Sequence, residues 1–145
     1  MKLPAPEPGL VIGYSYLWAS EHGAGREEGV KNRPCAIVAA RQMIEGREVV
    51  TVVPFTHSPP KEASEAVEIP TVLKRHLGLD EGRSWVVVTE TNDFLWPGPD
   101  LRPIPGRTPS RIDYGILPAR FFAHIRDQIL QAHLRRKLKI VPRPE

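Results

Sequence analysis

The sequence has few of the residues that support disulfide, metal or nucleotide chemistry. It holds one cysteine, Cys35, so no intrachain disulfide can form. Its five histidines show no spacing typical of metal ligands, and neither a GxGxxG nor a GxxxxGK[ST] phosphate-binding motif occurs. No apolar run approaches the ~20 residues of a membrane-spanning helix. We therefore expect no metal, no cofactor, no membrane contact and a cytoplasmic location.

Proline, in contrast, is abundant. The chain has 16 prolines among 145 residues, which is about twice the average share. Proline removes a backbone donor and fixes φ, so this content favours many short elements joined by stiff turns over a helical bundle. The length is typical of one domain. We expect a single domain over residues 1–145, with a core at about 9–132 and a basic tail at 133–145.

Basic residues are concentrated in the last third of the chain. Residues 102–145 contain 10 Lys and Arg against 3 Asp and Glu, whereas residues 1–101 contain 10 against 14. Such an excess suits a phosphate backbone or an acidic protein partner. A solvated face with no partner is the alternative.

The apolar pattern predicts short strands and two helices. Strands are expected in segments rich in β-branched and aromatic residues, at 9–18, 34–41, 45–55, 65–70 and 84–90. The segment "NDFLW" is expected either to pair with the last of these strands or to continue it. A short helix is expected at 71–79, and a final helix from about 118 that ends in "RRKLK". Frequent turns between short strands, with one C-terminal helix, predict a mainly β protein with helices (α+β). We expect a small β-barrel with the helix packed on it.

Three polar residues follow apolar strands at points where a barrel presents functional side chains. Arg33 precedes Pro34 and a buried strand, Thr56 follows "VVPF", and Glu90 follows "WVVVT". An arginine can bind a phosphate bidentately and stabilise charge that develops on it. A hydroxyl can hydrogen-bond the same phosphate, and a carboxylate or histidine can transfer protons. With RNA the 2′-hydroxyl can be the nucleophile, so neither a metal nor a protein nucleophile is required.

The order of these motifs resembles the MazF/PemK/Kid family of toxin endoribonucleases. The resemblance covers about residues 9–132 and is tightest at "RP" and "VPFT". It implies an SH3-like barrel, a homodimer, and metal-independent cleavage of single-stranded RNA such as mRNA. It also implies growth inhibition within a type II toxin–antitoxin system, with an acidic antitoxin as the protein partner.

The resemblance also implies roles for individual residues. Arg33 matches the family arginine that contacts the scissile phosphate, Thr56 matches the family threonine, and Glu90 falls near the acidic position. Some members carry a second arginine two residues before that acid, where this chain has Val88. His57 is a further catalytic candidate that could take the place of this arginine, and His22 is the alternative, because both are expected in loops beside the motif residues. We expect RNA contacts from Arg33 and from two loop residues, His22 and Lys31.

Other interpretations remain open at this point. Arg33 can form a structural ion pair with Glu27, Glu28 or Glu90, and Thr56 can form a turn through its hydroxyl. A non-catalytic barrel of the CcdB type is the competing function, with gyrase, an antitoxin or nucleic acid as its partner. A degenerate family member with the same kinds of partner is a further possibility.

Overall fold

The computed structural model describes residues 2–26, 29, 31–42 and 44–143 of the chain. These residues form an α+β fold that is mainly antiparallel sheet. The strands are β1 (Leu10–Tyr14), β2 (Arg33–Gln42), β3 (Glu48–Thr56), β4 (Ala66–Glu68), β5 (Trp85–Val87), β6 (Glu90–Leu95), β7 (Asp113–Ile116) and β8 (Lys139–Pro142). The helices are α1 (Ala19–Gly23), α2 (Thr71–Leu77) and α3 (Ala119–Leu134), with short 3-10 turns at Ile44–Gly46 and Ala63–Glu65.

The sheet is organised around the hairpin of β2 and β3. Its strand order is β4-β5-β3-β2-β1-β7, and β6 also pairs with β3 and carries β8 as a parallel neighbour. The first half of β3 pairs with β6, while Phe55 and Thr56 at its end pair with β5. Within the described ranges the path ends at β4 and β7, so the sheet does not close into a barrel. The mainly β prediction with helices is confirmed.

The central strands are buried on both faces. Along β1, Val11 belongs to one core cluster, and its neighbours Leu10 and Ile12 belong to a second. This alternation follows from the two-residue period of a strand. It also explains why the segment "LVIGY" contains no polar side chain. The first cluster includes Ile125 of α3, so the final helix packs on one face of the sheet.

Both predicted helices are present. Helix α2 ends at Leu77 and is followed by Gly78, whose φ of 68° is the left-handed conformation that glycine adopts without strain. Helix α3 ends at Leu134, earlier than the sequence predicts, and Arg136 has a φ of 57°. The "RRKLK" segment therefore follows the helix instead of closing it. None of the helices in the described ranges is long and apolar enough to cross a membrane.

The segment that we expected to be a basic tail contains strand β8. Asn92 of β6 pairs with Val141 of β8, and Arg143 is buried directly after this strand. The Arg143 guanidinium donates to the Ser15 carbonyl at 2.7 Å and lies 3.1 Å from a carboxylate oxygen of Asp100. The sequence also did not predict β7. The strand expected at 84–90 contains β5, and the segment "NDFLW" after it belongs largely to a separate strand, β6, which pairs with β3 and β8 and not with β5.

Candidate functional site

Arg33 lies at the first position of β2, with its guanidinium held by two neighbouring segments. Its Nη1 donates to the backbone carbonyl of Phe55 at 3.1 Å. Its guanidinium carbon lies 4.9 Å from the centroid of the Trp18 ring, in a cation–π arrangement. Pro34 disfavours a helical conformation for Arg33 and so supports an extended backbone here. Both the backbone and the guanidinium of Arg33 are therefore held in defined positions.

No carboxylate in the described ranges forms an ion pair with Arg33. Its Nε is buried and has no hydrogen-bond partner among the described atoms. Burial lowers the pKa of Arg33, and the nearby Glu21 acts against this, but an arginine stays charged under all ordinary conditions. Glu27 and Glu28, two of the ion-pair partners considered above, lie outside the described residues. The described environment thus leaves this cation with hydrogen-bonding capacity for an anionic ligand.

Glu90 is half-buried at the start of β6 and does not pair with Arg33. One carboxylate oxygen, Oε1, accepts hydrogen bonds from the Tyr16 hydroxyl at 3.1 Å and the Ala19 backbone N–H at 2.9 Å. Its other oxygen accepts none from a described residue. Burial raises the pKa of Glu90, although these two hydrogen bonds and Lys139 act against it. A half-buried carboxyl group with a raised pKa and one oxygen without a described partner is suited to proton transfer.

Thr56 forms the turn that its sequence position allows. Its Oγ1 accepts a hydrogen bond from the Ser58 backbone N–H at 3.1 Å. Because this bond uses the oxygen as an acceptor, the hydroxyl hydrogen is still available for donation. The turn interpretation and a role in ligand binding are therefore compatible.

His57 has both ring nitrogens engaged. Its Nδ1 lies 2.7 Å from the Arg83 carbonyl oxygen, and its Nε2 lies 2.8 Å from a carboxylate oxygen of Asp80. Both partners are acceptors, so the doubly protonated ring satisfies both contacts. Burial raises the pKa of Asp80, but hydrogen bonds from His57 and the buried Lys74 outweigh it and lower the pKa overall. This arrangement ties the end of β3 to the turn before β5.

Two adjoining cavities meet at these residues. We call them the Trp18 cavity, of about 510 Å³, and the Tyr114 cavity, of about 410 Å³. Both are open to solvent, and both lie within the size range of about 300–1,000 Å³ that is typical of ligand sites. Their linings have four residues in common, which are Lys31, Arg33, Thr56 and His57. The shared residues form the junction between the two cavities.

The structure brings together most of the residues that the sequence singled out. Glu90 and the four residues of the junction all line the Trp18 cavity. His22 is exposed on α1 and lines neither of the two cavities. Sequence reasoning did not identify Trp18 as the support of Arg33, nor Asp80 as the partner of His57. No spacing pattern links these residues, because each contact joins distant parts of the chain.

Two other kinds of chemistry have no site in the described part of the chain. It contains no group of three or more His, Cys, Asp or Glu residues that could hold a metal ion. Cys35 is completely buried within β2, and burial raises the pKa of its thiol well above the usual range. A buried thiol of this kind is a poor nucleophile.

No family model, no curated protein and no solved structure matches this chain.

Proposed function

We propose that this protein is an endoribonuclease that cuts single-stranded RNA without a metal ion. The observation that carries the proposal is the placement of Arg33. Its guanidinium is fixed by Phe55 and Trp18, has no described carboxylate as a partner, and lies where two open cavities meet. A positioned guanidinium of this kind suits a phosphodiester whose neighbouring nucleotides occupy the two cavities.

In the proposed reaction the RNA supplies its own nucleophile. The 2′-oxygen attacks the adjacent phosphorus, and the bond from phosphorus to the 5′-oxygen of the next nucleotide breaks. The products end in a 2′,3′-cyclic phosphate and a 5′-hydroxyl. Glu90 accepts the proton of the 2′-hydroxyl, and the leaving 5′-oxygen takes a proton from water in the open cavity.

The junction residues stabilise the charge that develops on the phosphate. Arg33 and the hydroxyl of Thr56 donate hydrogen bonds to its non-bridging oxygens. Lys31 adds positive charge at the junction of the two cavities, which favours the approach of an RNA backbone. The sequence made His57 a catalytic candidate because it follows Thr56. Since both of its ring nitrogens already contact protein groups, in this mechanism His57 positions the end of β3 instead of transferring protons.

We further propose that the open sheet is a variant of the SH3-like barrel of the MazF/PemK/Kid family. The long β2–β3 hairpin at its centre and the C-terminal helix on one face support this proposal. The homodimer, the acidic antitoxin and the cytoplasmic location remain predictions of the sequence. The excess of basic residues after residue 101 is compatible with an acidic partner.

The test is incubation of the purified protein with a defined single-stranded RNA in the presence of excess EDTA. We expect discrete fragments that carry 2′,3′-cyclic phosphate ends, and no cut at a linkage whose 2′-hydroxyl is replaced by hydrogen. Failure to cut any of a set of RNAs that together contain all trinucleotides would contradict the proposal. Cleavage that is abolished by EDTA would contradict its metal-independent mechanism.

A further inference from the structure

The Tyr114 cavity has a lining that differs from that of the Trp18 cavity. Its lining combines apolar and polar residues, and the apolar ones are Pro34, Phe55, Leu79, Ile104, Pro105 and Tyr114. The polar ones include Asn32 and Asp80 as well as the four residues of the junction. A cavity that combines apolar walls with several polar groups suits a flat organic ring that is selected by hydrogen bonds.

Part of this cavity comes from the proline-rich segment at 97–111. Ile104 and Pro105 of this segment line the cavity. The backbone N–H of Ile104 donates to the Arg111 carbonyl at 2.8 Å, and the N–H of Arg102 donates to the Gly13 carbonyl at 2.8 Å. The segment is therefore attached to β1 and folded on itself, so the wall it provides has a defined position.

A second arginine lies at the margin of the cavity. The guanidinium of Arg107 lies against Gly78, which lines the cavity. Its Nη2 is so close that a Cβ atom added to this glycine would be only 2.7 Å away. Arg107 forms no hydrogen bond or ion pair with a residue of the described ranges. Its positive charge also acts on the half-buried Tyr114, where it lowers the pKa that burial raises. Arg33 and Arg107 thus contribute positive charge to the same cavity, Arg33 in its lining and Arg107 at its margin.

We propose that the Tyr114 cavity binds one nucleobase of the RNA, next to the phosphate held by Arg33, and that Arg107 contacts the following phosphate. The base stacks on the Tyr114 ring, a contact that aromatic side chains commonly make with single strands. Asp80 and Asn32 are placed to read its edge, since a carboxylate accepts from an exocyclic amine and an asparagine pairs with adenine. This inference rests on the proposed function and adds a subsite for base recognition to it.

The test is binding of a fluorescein-labelled single-stranded RNA whose 2′-positions are all O-methylated, so that it cannot be cut by the proposed reaction. Fluorescence anisotropy gives the dissociation constant for the wild type, Tyr114→Phe and Tyr114→Leu. We expect Tyr114→Phe to bind within about twofold of the wild type, because its ring still stacks. Tyr114→Leu keeps an apolar group in the core and should bind at least about fivefold more weakly.

Arg107→Ala is tested by the salt dependence of the same binding, with Arg120→Ala on the exposed surface of α3 as its control. Loss of one phosphate contact should lower the slope of log K against log salt by ~0.7 for a single strand. We expect this change for Arg107→Ala and none for Arg120→Ala. Equal slopes for the two variants would overturn the role of Arg107.

The outcomes separate the subsite from the proposed function. If the wild type cuts RNA but Tyr114→Leu binds as tightly as the wild type, the subsite is wrong and the function stands. If the wild type binds the methylated RNA and Tyr114→Leu weakens this binding, but no RNA is cut, the subsite stands and the catalytic proposal is wrong. If the wild type neither binds the methylated RNA nor cuts any RNA, both are overturned; if it cuts RNA but does not bind the methylated RNA, the subsite alone is overturned.

Discussion

The guanidinium of Arg33 lies over the Trp18 ring, 4.9 Å from its centroid. The same guanidinium donates to the Phe55 carbonyl, so one face and one edge of the group are occupied by the protein. Trp18 in turn contacts Tyr16 edge-to-face at 5.1 Å, and Tyr16 donates to Glu90. Arg33, which we propose binds the phosphate, and Glu90, the proposed proton acceptor, are thus connected through the rings of Trp18 and Tyr16.

This contact predicts that Trp18 positions Arg33. Trp18→Leu removes the ring face, an interaction of about 0.5–2 kcal/mol, and frees the guanidinium to move. We expect kcat for RNA cleavage to fall about tenfold with a smaller change in KM, because a misplaced group loses transition-state contacts. Trp18→Phe retains a ring and should keep most of the activity. Equal activity of the Leu and Phe variants would show that the ring does not position Arg33.

Glu90 should reduce stability at neutral pH while it supports cleavage. Its pKa is raised in the folded state by burial, so the folded state holds this proton more tightly than the unfolded state. Stability therefore falls as pH rises from the unfolded-state pKa through the folded-state pKa. Glu90→Gln keeps an oxygen acceptor for Tyr16 and Ala19 without the charge. We expect this variant to have a higher Tm than the wild type at pH 7 and to have lost cleavage activity.

The difference in Tm should vanish once pH falls below the unfolded-state pKa of glutamate, where the wild-type side chain is also neutral. Thermal melts from pH 3 to pH 8 measure it. A Glu90→Gln protein that melts below the wild type at pH 7 would contradict this account of the charge.

Asp80 should stabilise the folded state at neutral pH and lose this contribution at low pH, which is the opposite of the dependence expected for Glu90. Its pKa is lowered overall, because the hydrogen bonds from His57 and Lys74 outweigh the effect of burial. Its contribution is present above the unfolded-state pKa and is lost as pH falls through the folded-state pKa. Asp80 is 65% exposed, so we expect Asp80→Asn to lower the unfolding free energy at pH 7 by only about 1 kcal/mol. Urea unfolding at several pH values measures this.

Asp127→Asn, on the exposed surface of α3, is the matched control for Asp80→Asn and should leave stability unchanged. If the two variants have the same unfolding free energy at pH 7, the contacts of Asp80 with His57 and Lys74 are not stabilising.

Arg143 should stabilise the fold by holding the end of β8 against the rest of the sheet. Its side chain is buried and contacts Asp100, Ser15 and Asn92. Arg143→Met leaves the buried Asp100 carboxylate without this cation, and loss of one partner of a buried pair typically costs about 3–5 kcal/mol. We expect a loss of that size in chemical denaturation. Arg135→Met, which removes a cation from an exposed position after α3, should cost less than about 0.5 kcal/mol.

The proximity of Arg33 and Thr56 was predictable because it follows from one hairpin. Cys35 faces Pro54 across the β2–β3 pair, and the same register continued by two residues brings Arg33 opposite Thr56. Both residues also lie next to strong apolar segments, so their places at strand ends can be derived from the local pattern. Hydrophobic periodicity predicts such features well.

The supports of the site were not predictable, because they depend on contacts between distant segments. Glu90 meets Tyr16 across 74 residues of sequence, and His57 meets Asp80 across 23 residues that include β4 and α2. Strand β8 has four residues, too few for a periodic signal, and its basic neighbours are more typical of a helix end. Its pairing with β6 is accompanied by the burial of Arg143, which no local rule indicates.

Arg33 is the central residue of the proposed site, and a comparison of variants tests its role in cleavage. Single-turnover cleavage of a defined single-stranded RNA in EDTA is measured for the wild type, Arg33→Ala and Arg41→Ala, with folding checked by circular dichroism and thermal melting. Arg41 lies at the exposed far end of the same strand and is 3.9 Å from Asp93, so its loss is a matched control. We predict that Arg33→Ala reduces the cleavage rate at least about 100-fold and that Arg41→Ala cleaves like the wild type. A folded Arg33→Ala protein that cleaves at the wild-type rate would contradict the proposed function of the site.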